Sequence, residues 1–277
     1  MSIDANYPGI LKQEMDTPAL LVDLDLMEAN IERMKRFLDG KGVSVRPHYK
    51  THKTPAIALK QIEAGAIGIT CAKVDEAETL VNAGVKDILI ANEIVGDKKI
   101  ARLAGLARHA NLMVAVDDPR NVAELSKCIS AAGAWLRVLV EINVGSNRCG
   151  IHPEQVVELA RQVDAAPGLA FVGLMGYAGH CQTIPDPEEK LKATQQAIGK
   201  LLAAKELAEA NGLKVEIVSG GGTGTHAIDA DIPGITEVQP GSYVVMDRSY
   251  RDAGIDYANA LTVLATIISR PLPNRAI

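Results

Sequence analysis

A closed (β/α)8 TIM barrel of the α/β class is the fold this 277-residue sequence predicts, on three observations. Short β-branched runs alternate with longer amphipathic stretches, the pattern of repeated βα units around a parallel sheet. The runs number eight, which selects a closed barrel over an open doubly wound sheet. The length also matches the roughly 250 residues that such a barrel takes as one domain. In order, the runs are 43–46, 67–71, 87–91, 112–116, 137–142, 171–176, 215–219 and 236–239. Helix-like stretches separate them at 54–64, 75–83, 97–107, 119–132, 153–165 and 187–211, several opening on Asp, Thr or Pro and closing near Gly. The barrel is therefore assigned to 24–258. Segments 17–23 and 259–269 alternate like strands outside the count, so 1–23 and 259–277 are expected to contribute strands to a small, incomplete β-domain.

Composition narrows the function classes. Apolar residues make up 47% and charged residues 23%, as in an ordinary globular protein. A net charge of −5 gives no basic footprint for nucleic acid. The apolar runs fall far short of the roughly 20 residues a membrane span needs. Residues 1–8 lack the basic and apolar regions of a signal peptide, which places the protein in the cytoplasm. Four cysteines, Cys71, Cys128, Cys149 and Cys181, are scattered without a CxxC, as suits reduced thiols.

Barrel sites are built from the loops that follow the strands, and here those loops carry the unusual residues. Strand one delivers His48, Lys50, His52 and Lys53; strand five delivers Asn143, Gly145, Asn147 and Arg148; strand six delivers Tyr177, His180 and Gln182. Strand seven leads into Ser219, Gly220, Gly221, Gly222, Thr223 and Gly224, and strand eight into Gln239, Gly241, Ser242 and Tyr243. A glycine run alone is as much a turn as a phosphate cradle. Its place after strand seven, with Gly241 and Ser242 after strand eight, is where barrels bind phosphate. A lysine amine can hold a carbonyl cofactor covalently where a low-dielectric site lowers its pKa. With Arg148 and Tyr177 on the same rim, an aldehyde-phosphate cofactor is indicated. His180 is the candidate for proton transfer, against a structural or substrate-binding role. His109 and His152 sit away from the rim and receive no role.

These residues resemble the D-threonine aldolase and D-serine dehydratase group, relatives of the alanine racemase N-terminal barrel. The resemblance spans nearly the whole chain and rests on Thr17-Pro-Ala-Leu-Leu-Val-Asp23, Arg46-Pro-His-Tyr-Lys-Thr-His-Lys53, Asn143-Val-Gly-Ser-Asn-Arg-Cys-Gly150, Ser219-Gly-Gly-Gly-Thr-Gly224 and Gln239-Pro-Gly-Ser-Tyr243. It implies pyridoxal 5'-phosphate held as a Schiff base on Lys50 rather than Lys53. It also implies a phosphate loop of Gly220 to Gly224 with Gly241, Ser242 and Tyr243, and contacts from Arg148 and Tyr177 to the cofactor ring. Two departures stand out. Thr183 occupies the position of the family's catalytic histidine, and Gln239 stands where related decarboxylase barrels have a glutamate.

The implied reaction is retro-aldol cleavage of a D-threonine-like amino acid to glycine and an aldehyde. Dehydration of the D-serine type is the alternative, and a homodimer fits the resemblance. The family's divalent metal, manganese or zinc, sits on a His-x-Cys or His-x-Asp pair in a C-terminal β-domain. No such pair follows residue 258, so metal ligands are not expected in these residues, and an exposed apolar patch is expected at that domain's seat. Two rivals use the same residues: a metal-dependent hydrolase built on His48, His52, His180 and a lysine, and a non-catalytic pyridoxal-phosphate carrier.

Overall fold

The structure, a computed structural model, describes residues 9–277; the leaderless reading of 1–8 lies outside the described residues. Strand β1 (Ala19–Val22) ends at Asp23, whose side chain accepts from the Leu26 N–H at 3.1 Å and starts helix α1 (Leu24–Leu38). Met27, Ile31, Met34 and Leu38 fall on one face of α1 and are buried. The strand count gives no hint of this helix.

Eight strands then follow, each close to a predicted run: β2 (Ser44–Val45), β3 (Ile69–Cys71), β4 (Asp87–Glu93), β5 (Asn111–Val116), β6 (Leu136–Glu141), β7 (Leu169–Gly176), β8 (Ile217–Gly220) and β9 (Glu237–Val238). Between them run α2 (Pro55–Glu63), α3 (Val74–Asn82), α4 (Asp97–Leu106), α5 (Pro119–Ala131), α6 (Val156–Ala165), α7 (Pro187–Ala210) and the short α8 (His226–Asp229). Asp118 and Asp186 cap α5 and α7, each helix opening on proline, as the sequence reading anticipates.

The strands form one parallel sheet in the order β2-β9-β8-β7-β6-β5-β4-β3. It curls until its ends meet. Ile67 N–H donates to Val45 O at 3.1 Å and Thr70 N–H to Pro47 O at 2.8 Å, with His48 and Thr70 forming a parallel bridge. Alternation sorts the strand residues between two cores. Ile88, Ile90, Val114, Val138, Val140 and Leu174 pack with the helices, whereas Leu89, Met113, Leu139 and Met175 form a second cluster that contains strand residues only.

A five-residue helix, α9 (Arg248–Asp252), follows the sheet, and β10 (Leu261–Leu264) then pairs antiparallel with β1, Ala19 opposite Leu264. The expected β-domain is, among the described residues, this two-stranded pair. Leu20, Val263, Ile267 and Ile268 on and beside it are exposed. Among the described residues no helix is long and apolar enough to cross a membrane.

Candidate active site

A cavity of about 300 Å³ opens among the loops that follow the parallel strands. Its floor is apolar, formed by Met175 and Ala91 at the top of the strand-only cluster. Its walls are polar.

The 3-10 turn Tyr49–Thr51 presents Lys50. Tyr49 is buried and anchors the turn, and His48 Nδ1 accepts from the Lys50 N–H at 3.4 Å. Lys50 Nζ has no hydrogen bond or ion pair among the described residues and stands 5.6 Å from the centre of the Tyr177 ring. Desolvation, followed by the charge of Arg148, lowers the pKa of its amine. Lys53, three residues on, adopts φ 50° and turns away, its Nζ lying 3.9 Å from Glu76. The chain geometry thus separates two lysines that their types alone leave equivalent.

Arg148 arrives on a closed loop. Asn143 Oδ1 accepts from the N–H groups of Gly145 and Asn147 at 3.0 and 3.2 Å, while Ile151 bonds back to Glu141 and Asn143. Gly150 has φ 97°, and a Cβ there would lie 2.6 Å from Asn143 N, so the closure requires glycine. Arg148 Cζ ends 5.6 Å from the Tyr177 ring centre, on the same ring that Lys50 approaches. Burial pushes the Tyr177 phenol up to about 12, so it stays neutral.

Gly222, Thr223, Gly241 and Ser242 also line the cavity. Their four N–H groups find no acceptor among the described residues. Unpaired backbone donors gathered at one cavity suit an anion. Gln182 packs behind the glycine loop and accepts from Gly224 N–H at 2.9 Å; a Cβ at Gly222 would lie 2.5 Å from Gln182 Oε1. The loop is therefore glycine-rich for close packing as well as for donor exposure.

Several named residues stand apart from the lining. Ser219, Gly220, Gly221 and Gly224 lie behind it, and Tyr243 is fully buried with its hydroxyl accepting from Gln61 at 2.9 Å. His180 is exposed beside Gly145, because the turn Gly179–Cys181 directs Cys181 and Gln182 inward. The three histidines of the hydrolase rival do not converge. His48 lines the cavity and burial depresses it to about 3; His52 packs edge-on against Tyr49; His180 faces out.

Asn92 and Tyr250 line the cavity without having been singled out, as does Cys149, which the sequence marks only as a reduced thiol. Beside it, ligand atoms of Glu93, Glu141 and Cys149 lie within 4.8 Å of one another, the sole such grouping among the described residues. It suits a cation poorly. Arg148 already sets a positive charge 3.5 Å from Glu141, and burial, reinforced by Glu93, pushes the Glu141 carboxyl up to about 8, so it holds a proton at neutral pH.

Residues 22–249 match the model of the alanine racemase N-terminal domain. The chain belongs to this family. It is 42% identical to a D-threonine aldolase of Arthrobacter sp over 98% of its length and 73% of that protein. Among solved structures, the D-threonine aldolase of Filomicrobium marinum superposes with a TM-score of 0.93 at 42% identity, covering 95% of this chain and 72% of that one. The D-threo-3-hydroxyaspartate dehydratase of Delftia sp. HT23 gives 0.87 at 31% identity, over 94% and 70%. This alanine racemase-like chain thus has both aldolases and dehydratases among its relatives.

Proposed function

We propose that the protein is a pyridoxal-phosphate-dependent lyase of D-β-hydroxy amino acids, cleaving a D-threonine-like substrate to glycine and an aldehyde. The observation that carries this is one cavity holding an unpaired amine of lowered pKa, Lys50 Nζ, together with four unpaired backbone donors. The donor set fits the cofactor: an amine for its aldehyde, the N–H groups of Gly222, Thr223, Gly241 and Ser242 for its phosphate, and Tyr177, Arg148 and Gln239 around a ring. Ser219, Gly220, Gly221, Gly224 and Tyr243 support these groups from behind. In this reading the curled sheet serves as a (β/α)8 barrel with its site at the C-terminal rim.

When bound, the cofactor supplies an electron sink for the pair left when a bond at the substrate Cα breaks. The protein's own part is to bind, exclude water and move a proton. Retro-aldol cleavage needs the β-hydroxyl proton removed as the Cα–Cβ bond breaks, and dehydration needs the Cα proton removed as hydroxide leaves. The groups facing the cavity offer Lys50 as the base, since His48 is too weakly basic and Tyr177 too weakly acidic. The divalent metal of the family would act on the substrate hydroxyl, and the acidic grouping at Glu141 does not fit it.

Borohydride reduction of the loaded protein followed by peptide mapping should find the cofactor on Lys50, with Lys50→Ala abolishing the adduct and Lys53→Ala retaining it. An adduct on Lys53 rejects the assignment. Incubation with D-threonine then separates the readings: glycine and acetaldehyde for the aldolase, 2-oxobutanoate and ammonia for the dehydratase, neither for a carrier. His180→Ala should lower kcat by less than about 10-fold, short of the roughly 100-fold that loss of a positioned acid–base group costs. A larger fall would bring His180 into the mechanism from the rim.

A further inference from the structure

Gln239 lines the cavity just past β9, the strand that carries Glu237, and a continuous run of buried polar groups lies beneath it. Arg46, 3% exposed, places Nε 3.1 Å from both oxygens of Glu237 and also binds Asp87. Ser219 Oγ is 2.7 Å from Glu237 Oε1 on one side and 2.7 Å from Gln239 Nε2 on the other. The strand register assembles this run. Ser219 and Glu237 are Cα partners in the parallel β8–β9 pair, and Gln239, two residues beyond Glu237, faces the same side of its strand.

We propose that Arg46, Glu237 and Ser219 form a directional hydrogen-bond relay that turns the side-chain carbonyl oxygen of Gln239 into the cavity. Gln239 then acts as an acceptor that selects a protonated ring nitrogen. The hydrogen count fixes the direction. A guanidinium has donors only, so Glu237 accepts from it as a carboxylate. A carboxylate has no hydrogen to give, so the single hydroxyl hydrogen of Ser219 goes to Glu237. Ser219 must therefore accept from Gln239, which commits the amide nitrogen downward and leaves Oε1 facing the other way. That oxygen has no partner among the described residues and is not sealed from the cavity. A carbonyl oxygen pairs with a ring N–H and repels a bare ring lone pair. Arg46, Glu237 and Ser219 are positioning residues, acting through Gln239.

The consequence for the ring rests on the cofactor reading above, whereas the orientation of the amide does not, and two measurements keep them apart. In the full chain without cofactor, the NMR signals of the Gln239 side-chain amide, assigned by their loss in Gln239→Leu, should shift in Ser219→Ala, with exchange of those hydrogens faster by about tenfold, the worth of one buried hydrogen bond. Glu237→Gln replaces an acceptor-only group by one that can also donate, and should shift the same signals should Ser219→Ala fail to fold. Unmoved Gln239 signals in a folded variant overturn the relay. In the loaded chain, pyridoxal phosphate isotope-labelled at the ring nitrogen should resonate in the protonated range in the wild type, move toward the free-pyridine range in Ser219→Ala, and return on adding Gln239→Glu. An unprotonated signal in the wild type overturns the acceptor role. Failure to take up the labelled cofactor rejects the proposed function and leaves the amide measurement standing.

Discussion

Glu237 and Glu141 are both 2–3% exposed, both on parallel strands of the same curled sheet, and they end in opposite states. Glu237 lies against Arg46 and Ser219, and two donors, Arg46 Nε and Ser219 Oγ, meet its oxygens in three contacts. Glu141 has one oxygen with no partner, a second acid in Glu93 beside it, and only the half-exposed Arg148 at 3.5 Å, so its carboxyl rises to about 8. Burial is common to the two. Partners set the two apart. The paired group builds a rigid support under the cavity, and the unpaired one keeps a proton at the cavity's edge.

Removing the partner from Glu237 is the strongest way to break this contrast. Arg46→Met strands a buried carboxylate and leaves Asp87 with less compensation, so unfolding free energy should fall by about 3–5 kcal/mol. Adding Glu237→Leu to that variant should recover part of the loss, because the stranded charge is then gone. Urea denaturation of the single and double variants checks both. A single variant as stable as the wild type would mean Glu237 is already neutral.

Glu141→Gln sharpens the other side. The folded-state pKa of Glu141 is raised from 4.5 to about 8, so the stability it contributes is complete below 4.5 and lost as pH rises toward 8. Glutamine mimics the neutral acid and does not titrate. The variant should therefore gain on the wild type across that window, by at most about 1.4 kcal/mol per pH unit. Parallel stability curves from about pH 5 to 8 would show that Glu141 ionises freely.

Much of this frame is legible in the sequence because β-branched runs and capping residues are local signals. The eight runs, the capped helices after Asp118 and Asp186, and the lysine turn all come from neighbours in the chain. The relay does not. Arg46 and Glu237 are 191 residues apart, and nothing in either segment names the other. Glu141 carries a local signal of its own: a carboxyl at the end of the apolar run that starts at Val138 is out of place in a buried strand unless something meets it. For His180 the spacing from Tyr177 gives the rim but not the direction: the turn Gly179–Cys181 decides which of three adjacent side chains points in, and there Cys181 and Gln182 are buried while His180 is exposed. Tyr250 reaches the cavity from α9, a five-residue helix too short to leave a periodic pattern.

The weakest effect should come from the shorter contact. Lys60 Nζ lies 2.6 Å from Glu28 Oε1, closer than either oxygen of Glu237 lies to Arg46 Nε, yet both side chains are about half exposed, at 43% and 51%. Water screens the attraction, and two long side chains must give up rotamer freedom to hold it. Lys60→Met keeps most of the aliphatic stem on α2 and removes the charge alone, so the urea midpoint should stay where it is, and raising the salt concentration should affect wild type and variant alike. If Lys60→Met instead destabilises the protein as much as Arg46→Met, proximity rather than burial sets the worth of an ion pair in this fold. The opposite states of Glu237 and Glu141 would then need a cause other than their partners.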